Sequence, residues 1–303
     1  MTSIVIPAHN EGRVIGRLLD ALLADTPVSG PDIVVVCNGC TDDTARVAGA
    51  RGPRVRVVEI PTPSKHTALR VGDEHARGFP RLYVDADVVV GAADVRALVA
   101  ALAGSPDLLA AAPGRDVPLA GCAWPVRAYY RVWQRLPAVR EGLFGRGVIA
   151  VSESGHARIA ALPPLMADDL AASQAFGPGE RRVVETARVV VHPPRTWSDL
   201  VRRRIRAATS SAEFERFQAS QRDGSPTATA TPASTSTPEQ ATAALSARTG
   251  TADLRALLRE RPQLLPGVVV FVVAALAARR GARKAIRNQD FSTWLRDESS
   301  RQG

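Results

Sequence analysis

The chain has 303 residues, 45% hydrophobic and 23% charged, enough for one large or two modest domains with a proper core. Its formal charge of +9 is almost entirely arginine, with Lys65 and Lys284 the only lysines, and points to nucleic acid, anionic lipid or phosphorylated substrates without choosing among them. Three cysteines, Cys37, Cys40 and Cys122, exclude a disulfide framework and fit a reducing compartment.

The opening "MTSIVIPAHNEG" goes straight into a strand and turn with no basic leader, so the N-terminal domain is expected in the cytoplasm. "SIVIPA" (3–8) reads as a strand. "EGRVIGRLLDALLAD" (11–25) puts Val14, Leu18 and Leu22 with Ile15 and Leu19 on one helical face. "DIVVVCN" (32–38) is a second strand, and "TDDTARVAGARG" (41–52) a helix with Thr41 as its expected N-cap. "RVRVVEI" (54–60) is a third strand, "SKHTALRVGDEHA" (64–76) a helix, "RLYVDADVVV" (81–90) a strand and "AADVRALVAALAG" (92–104) a helix. This alternation predicts an α/β domain with a mainly parallel sheet covered on both faces.

The pattern loosens after residue 115. "RRVVETARVVVHPP" is β-rich, and "TWSDLVRRRIRAATSSAEFERFQ" (196–218) is a strongly basic helix. Residues 219–251, rich in Ser, Thr, Ala and Pro, cannot bury enough surface to offset ordering entropy and are expected to be a disordered linker. In 252–303, "LLPGVVVFVVAALAA" (264–278) precedes "RRGARKAIR"; it is short for a membrane span, and a membrane-surface or re-entrant helix is preferred over a docked soluble one.

Two acids inside an aliphatic run are costly to bury unpaired, so Asp85 and Asp87 call for a chemical reason. If the strand ends at Asp85, Asp87 lies in the turn beyond it. Ligands of open α/β sheets bind at the carboxyl ends of strands, and two acids there suit Mg²⁺ or Mn²⁺. Taken alone, D-x-D also reads as two solvated turn acids. Three further polar loops, "IPAHNE" (6–11), "CNGCTDDT" (37–44) and "PSKHTALRVG" (63–72), fall at the same rim, which favours a nucleotide site.

The ordered set "VIPAHNE", "VVVCNGCTDDT", "SKHTALRVG", "YVDADVVV", then "FGRGVIAVS", "MADDLAAS" and "PPRTWSDLVRRRIRAA", resembles family-2 glycosyltransferases of the GT-A fold over about residues 1–215. The resemblance implies a GT-A domain (1–218), a mixed, mainly parallel sheet flanked by helices, with a C-terminal helical extension. It also implies an inverting enzyme with a nucleotide-sugar donor and a divalent metal. Carried over by position, Pro7, Ala8, Asn10, Glu11, Asn38 and Asp42 hold base and ribose. Lys65 and Arg206 lie near the diphosphate, Asp85 contacts ribose or a metal-bound water, and Asp87 is the direct metal ligand. Asp169 is the implied general base, with Asp168 second. Gly145, Arg146 and Gly147 are candidates for shaping an acceptor pocket, or a plain turn.

The chain departs from the family pattern at Cys37 and Asn38, where two acids are common, so the base preference is open. Where processive synthases carry Q-x-x-R-W it has Arg203, Arg204, Ile205, Arg206 and Ala207, which argues against a polymer-extruding synthase. His192 reads as an extra metal ligand or, preferably, a structural histidine. A C-x-x-C zinc or redox reading of Cys37 and Cys40 lacks further ligands. The expected acceptor is a polyprenyl-linked or cell-envelope glycan, at the inner face of the plasma membrane. The competing readings are a nucleotidyltransferase of similar fold, whose usual Gly-rich phosphate loop is weak here, and a non-catalytic polyanion-binding module. No nucleic-acid motif is present.

Overall fold

The computed structural model describes residues 1–24, 30–162, 168–223 and 250–287, with the side chains of 168, 169, 214 and 216–223 outside that description. The strands are β1 (Ser3–Ala8), β2 (Asp32–Asn38), β3 (Val55–Ile60), β4 (Arg81–Val84), β5 (Val88–Val90), β6 (Ala110–Asp116), β7 (Val148–Val151) and β8 (Arg181–Val191). Among the described residues they form one sheet in the order β3-β2-β1-β4-β7-β6-β8-β5. The first four are parallel, β7 runs antiparallel to β4 and β6, and β8 is parallel to β6.

The helices are α1 (Ile15–Leu23), α2 (Thr44–Gly49), α3 (Lys65–His75), α4 (Ala92–Ala103), α5 (Trp124–Trp133), α6 (Pro137–Glu141), α7 (Glu153–Ala160), α8 (Asp168–Gln174), α9 (Trp197–Asp223), α10 (Thr251–Glu260) and α11 (Leu265–Arg287). Every residue of β1 and β2 is buried, as strands covered on both faces require. Their side chains alternate: Ile4, Ile6, Ile33 and Val35 pack with Leu18, Leu19 and Leu22 of α1, while Val34 and Val36 pack with Ala68 of α3. A second core joins α5 and α9 to the C-terminal helices through Val126, Tyr129, Leu200, Leu257, Val268 and Phe271, with Phe271 stacked 5.2 Å from Tyr129. The segment expected as a separate extension (252–303) therefore shares a core with the preceding domain over its described part.

Four expectations are corrected. The run 81–90 is two strands; the chain turns at Asp85–Asp87, and β5 crosses to the far edge of the sheet to pair with β8. Helix α2 begins at Thr44, since the Thr41 amide and hydroxyl both bond Asn10 Oδ1 across the loops and Thr41 caps nothing. Helix α9 runs on to Asp223, so residues 219–223 are helical, and 224–249 of the expected linker lie outside the described residues. Helix α11 is 23 residues long, longer than the apolar run read at 264–278.

Close packing of α3 on the sheet requires Gly72, where a Cβ would stand 2.2 Å from Val5 Cγ1. Gly72→Ala is expected to lower unfolding free energy by about 1–3 kcal/mol, the usual cost of overpacking, in a denaturant titration. An unchanged midpoint would show that α3 is free to move off β1.

Candidate active site

The parallel strands place their carboxyl ends on one rim. Strand β1 leads to β2 on one side, while α3 carries the chain back across to β4 on the other. The β1/β4 boundary is thus a topological switch point, the usual crevice for a ligand.

Two loops on this rim are stitched together. Asn10 adopts a left-handed conformation (φ 54°), which Asn tolerates better than most side chains. That turn aims Oδ1 at the N–H groups of Thr41 (2.7 Å) and Asp42 (3.3 Å). In return the Gly12 N–H donates to Asp42 Oδ2 (3.1 Å), and the Glu11 N–H donates to Thr44 Oγ1 (2.8 Å). Partial burial pushes the Asp42 carboxyl up, but the Thr44 hydroxyl and the Thr44 and Gly12 amides outweigh it and hold it below its ordinary value.

Asn38 is 2% exposed, and its Nδ2 donates to the Ala8 carbonyl (2.8 Å) while its own carbonyl accepts from His9 Nδ1. This corrects the expectation that its side chain faces a base: the amide ties β2 to β1 from inside. Pro7 and Ala8 lie within buried β1 and contribute backbone, with the Ala8 carbonyl also accepting from the Cys40 thiol. Burial, then Cys40, pushes the Cys37 thiol up to about 12, so it is an inert core group.

Asp85 is placed by its own N–H, which donates to the Gly147 carbonyl (2.8 Å). Gly147 has φ +66°, and a Cβ there would stand 2.5 Å from Val88 and 3.2 Å from Asp85 Oδ2, so glycine is needed for this approach. Ser64 caps α3 and sets Lys65 at its first turn, with Nζ 2.7 Å from Asp85 Oδ1. Burial pushes the Asp85 carboxyl up; Lys65, then Arg206 and Arg203 of α9, outweigh it and hold it below the ordinary range. Arg203 also donates to the His192 carbonyl (3.2 Å), tying α9 to the end of β8.

Beyond the turn, the charges of Asp87 and Arg17 both act on His192. Burial, then the Arg17 charge, lowers the His192 pKa against the opposing pull of Asp87. A neutral imidazole beside a carboxylate is a competent metal-ligand pair. Among the described residues no three His, Cys, Asp or Glu side chains cluster as a metal site, so an ion here would complete its shell with phosphate and water oxygens, as Mg²⁺ sites usually do. His192 also lines a cavity of about 160 Å³ with Pro118, Ala120, Cys122, Pro193 and Arg195.

Structure thus brings together Asn10, Glu11, Asp42, Lys65, Asp85, Asp87 and Arg206 along one rim. Arg146 is corrected: at 2% exposure its guanidinium bonds the carbonyls of Pro113, Val139, Arg140 and Gly142, bracing the Gly145–Gly147 loop from beneath. Asp168 and Asp169 begin α8, and their side chains lie outside the described residues. Sequence reasoning missed Arg17, whose buried Nε makes no hydrogen bond. The Leu pattern of α1 hid it, although its spacing from Arg13 by one helical turn was a signal.

The Asp42 clasp has a pH signature. A carboxylate held low keeps its bonds above its depressed pKa and loses them as pH falls through it. The Gly12 and Thr44 amide resonances should titrate together, with a midpoint below the ordinary aspartate value of ~3.9. A midpoint at or above that value would mean the clasp does not select the ionised form.

Residues 3–148 match the family model described as Glycosyl transferase family 2. An uncharacterized glycosyltransferase of Mycobacterium tuberculosis is 39% identical over 123 residues, 41% of this chain and 52% of that protein. A 4,4'-diaponeurosporenoate glycosyltransferase of Staphylococcus aureus is 40% identical over 91 residues, 28% of this chain and 24% of that protein. The chain thus spans about half, or less, of the length of these curated relatives. Among solved structures, the mannosyltransferase PcManGT of Pyrobaculum calidifontis, in complex with GDP-Man and Mn²⁺, superposes with a TM-score of 0.58 at 21% identity, covering 99% of this chain and 84% of that one. The fold is GT-A, and residues 3–148 of the chain carry the match to glycosyl transferase family 2.

Proposed function

We propose that this chain is an inverting glycosyltransferase. It moves one sugar from a nucleotide-sugar donor to a hydroxyl of a lipid-linked or cell-envelope glycan precursor, at the cytoplasmic face of the membrane. The observation that carries this reading is the D-x-D turn at the switch point, where Lys65 pairs with Asp85 and the charges of Arg203 and Arg206 act on it, while His192 feels the charge of Asp87. Few arrangements other than a diphosphate and its cation answer both halves. The mannosyltransferase of the same fold, whose structure holds GDP-Man and Mn²⁺, supports the donor class.

In this reading Asp87 and His192 would hold a divalent ion, and Asp85 would stay ionised toward the ribose or that ion. When bound, the ion neutralises charge on the leaving nucleoside diphosphate. Lys65, Arg203 and Arg206 share that task as fixed cations. The stitched Asn10–Asp42 loops form the nucleoside wall, through backbone and Glu11 more than through Asn38. The acceptor oxygen attacks C1 as the C1–O bond to phosphate breaks, which inverts the carbon. Its proton passes to Asp169, or second to Asp168, at the start of α8. The cavity beside His192 supplies an acceptor wall.

A panel of UDP- and GDP-sugars with Mn²⁺ or Mg²⁺ and a polyprenyl phosphate acceptor tests this by release of nucleoside diphosphate. Release should require metal and vanish in Asp87→Ala. Asp169→Asn should slow transfer ~10²–10⁴-fold, the usual worth of general-base assistance, with donor binding intact. Pyrophosphate release from a sugar phosphate and a nucleoside triphosphate would instead establish a nucleotidyltransferase. Tight binding of polyanions with no turnover would establish a binding module.

A further inference from the structure

Helix α11 has two faces of different chemistry. Gly267, Val268, Phe271, Ala274, Ala278 and Ala282 are buried against α5 and α9. The approach is close: a Cβ on Gly267 would stand 3.0 Å from the Ala128 carbonyl, and one on Gly281 2.5 Å from Ile205. The opposite face carries Leu265, Val269, Val272, Val273 and Leu276, exposed by 39–56%. At 100° per residue these five fall in a stripe roughly 100° wide. They are five of the seven exposed large hydrophobic residues among the described ones, so the exposure is concentrated. A sixth, Trp124, is 62% exposed and opens α5, the helix on which α11 packs.

The same outward face continues into Arg279, Arg280, Arg283, Lys284 and Arg287, all exposed, and α11 contains no acid. We propose that this face is a docking surface for an anionic lipid bilayer, on which the domain lies with α11 in the interfacial plane. The helix is long and apolar enough to cross a membrane. Its inner face, however, is packed from residue 267 to 282, and neighbouring α9 carries Arg202, Arg203, Arg204 and Arg206, which would have to enter the hydrocarbon with it. An apolar stripe ending in a cationic one matches acyl chains bordered by anionic headgroups. A second copy of the chain fits poorly: parallel pairing of two such faces opposes like charges, and antiparallel pairing sets arginines on aliphatics. The surface stands on these residues alone; its use, meeting a lipid-linked acceptor, rests on the proposed function.

The test is flotation of the full chain with vesicles of phosphatidylcholine alone and of phosphatidylcholine with phosphatidylglycerol. Binding should be at least about tenfold stronger to the anionic vesicles and should fall with salt. The variant Val269→Ser/Val273→Ser/Leu276→Ser should lose binding with an unchanged melting temperature, and Arg279→Gln/Arg280→Gln/Arg283→Gln should lose the preference for anionic lipid. Equal partition with and without anionic lipid, or full binding by the serine variant, would overturn the proposal. So would a dimer in sedimentation that the serine variant dissolves while vesicles are ignored. Vesicle binding is read without donor or metal, and nucleotide release without vesicles, so either idea can fail alone.

Discussion

A carboxylate at the end of a central strand must be compensated, and the answer found around Asp85 organises much of this molecule. Its amide is held by Gly147, and its charge by Lys65 at the start of α3 and by Arg203 and Arg206 of α9. Three separate stretches of chain therefore converge on one group. Two residues on, Asp87 acts electrostatically on His192. A ligand that brings phosphate charge to this place exchanges partners already positioned for it, which lessens reorganisation on binding.

The paired loops after β1 and β2 follow a different logic. There the neighbouring loops are fixed mostly by hydrogen bonds to each other: Asn10 to Thr41 and Asp42, Asp42 back to Gly12, and Thr44 to Glu11. These bonds close on residues about thirty positions apart and make one wall of two loops. Asn38 and Arg146 lie behind such walls and hold them from within. Polar residues of the site region thus divide into those that meet solvent at the rim and those that maintain its shape.

Periodicity made β1, β2, β3, α1, α3 and α4 legible to within a residue or a few, because each buries a regular face. The helix of 41–52 was read too long because Thr41 looks like a cap, while its actual partner, Asn10, is distant in sequence. The split of 81–90 was hard to see because its second half pairs with β8, a hundred residues later. The D-x-D could be found by spacing and type, and Lys65 and Arg206 through the family resemblance. Arg17 and the inward roles of Asn38 and Arg146 depend on which face of an element meets which neighbour. In α11 the apolar residues run round the helix, and only the packing of α5 and α9 divides them into an inner and an outer face.

One chain thus carries a rim for which we propose a diphosphate and its metal, and an apolar and basic flank joined to it through α9. The most direct measurement is an anomalous difference map at the manganese edge from crystals grown with Mn²⁺ and a nucleoside diphosphate. The predicted result is a single strong peak between Asp87 and His192, with the diphosphate reaching toward Lys65 and Arg206. A peak elsewhere, or a nucleotide bound away from the Asp85–Asp87 turn, would contradict it.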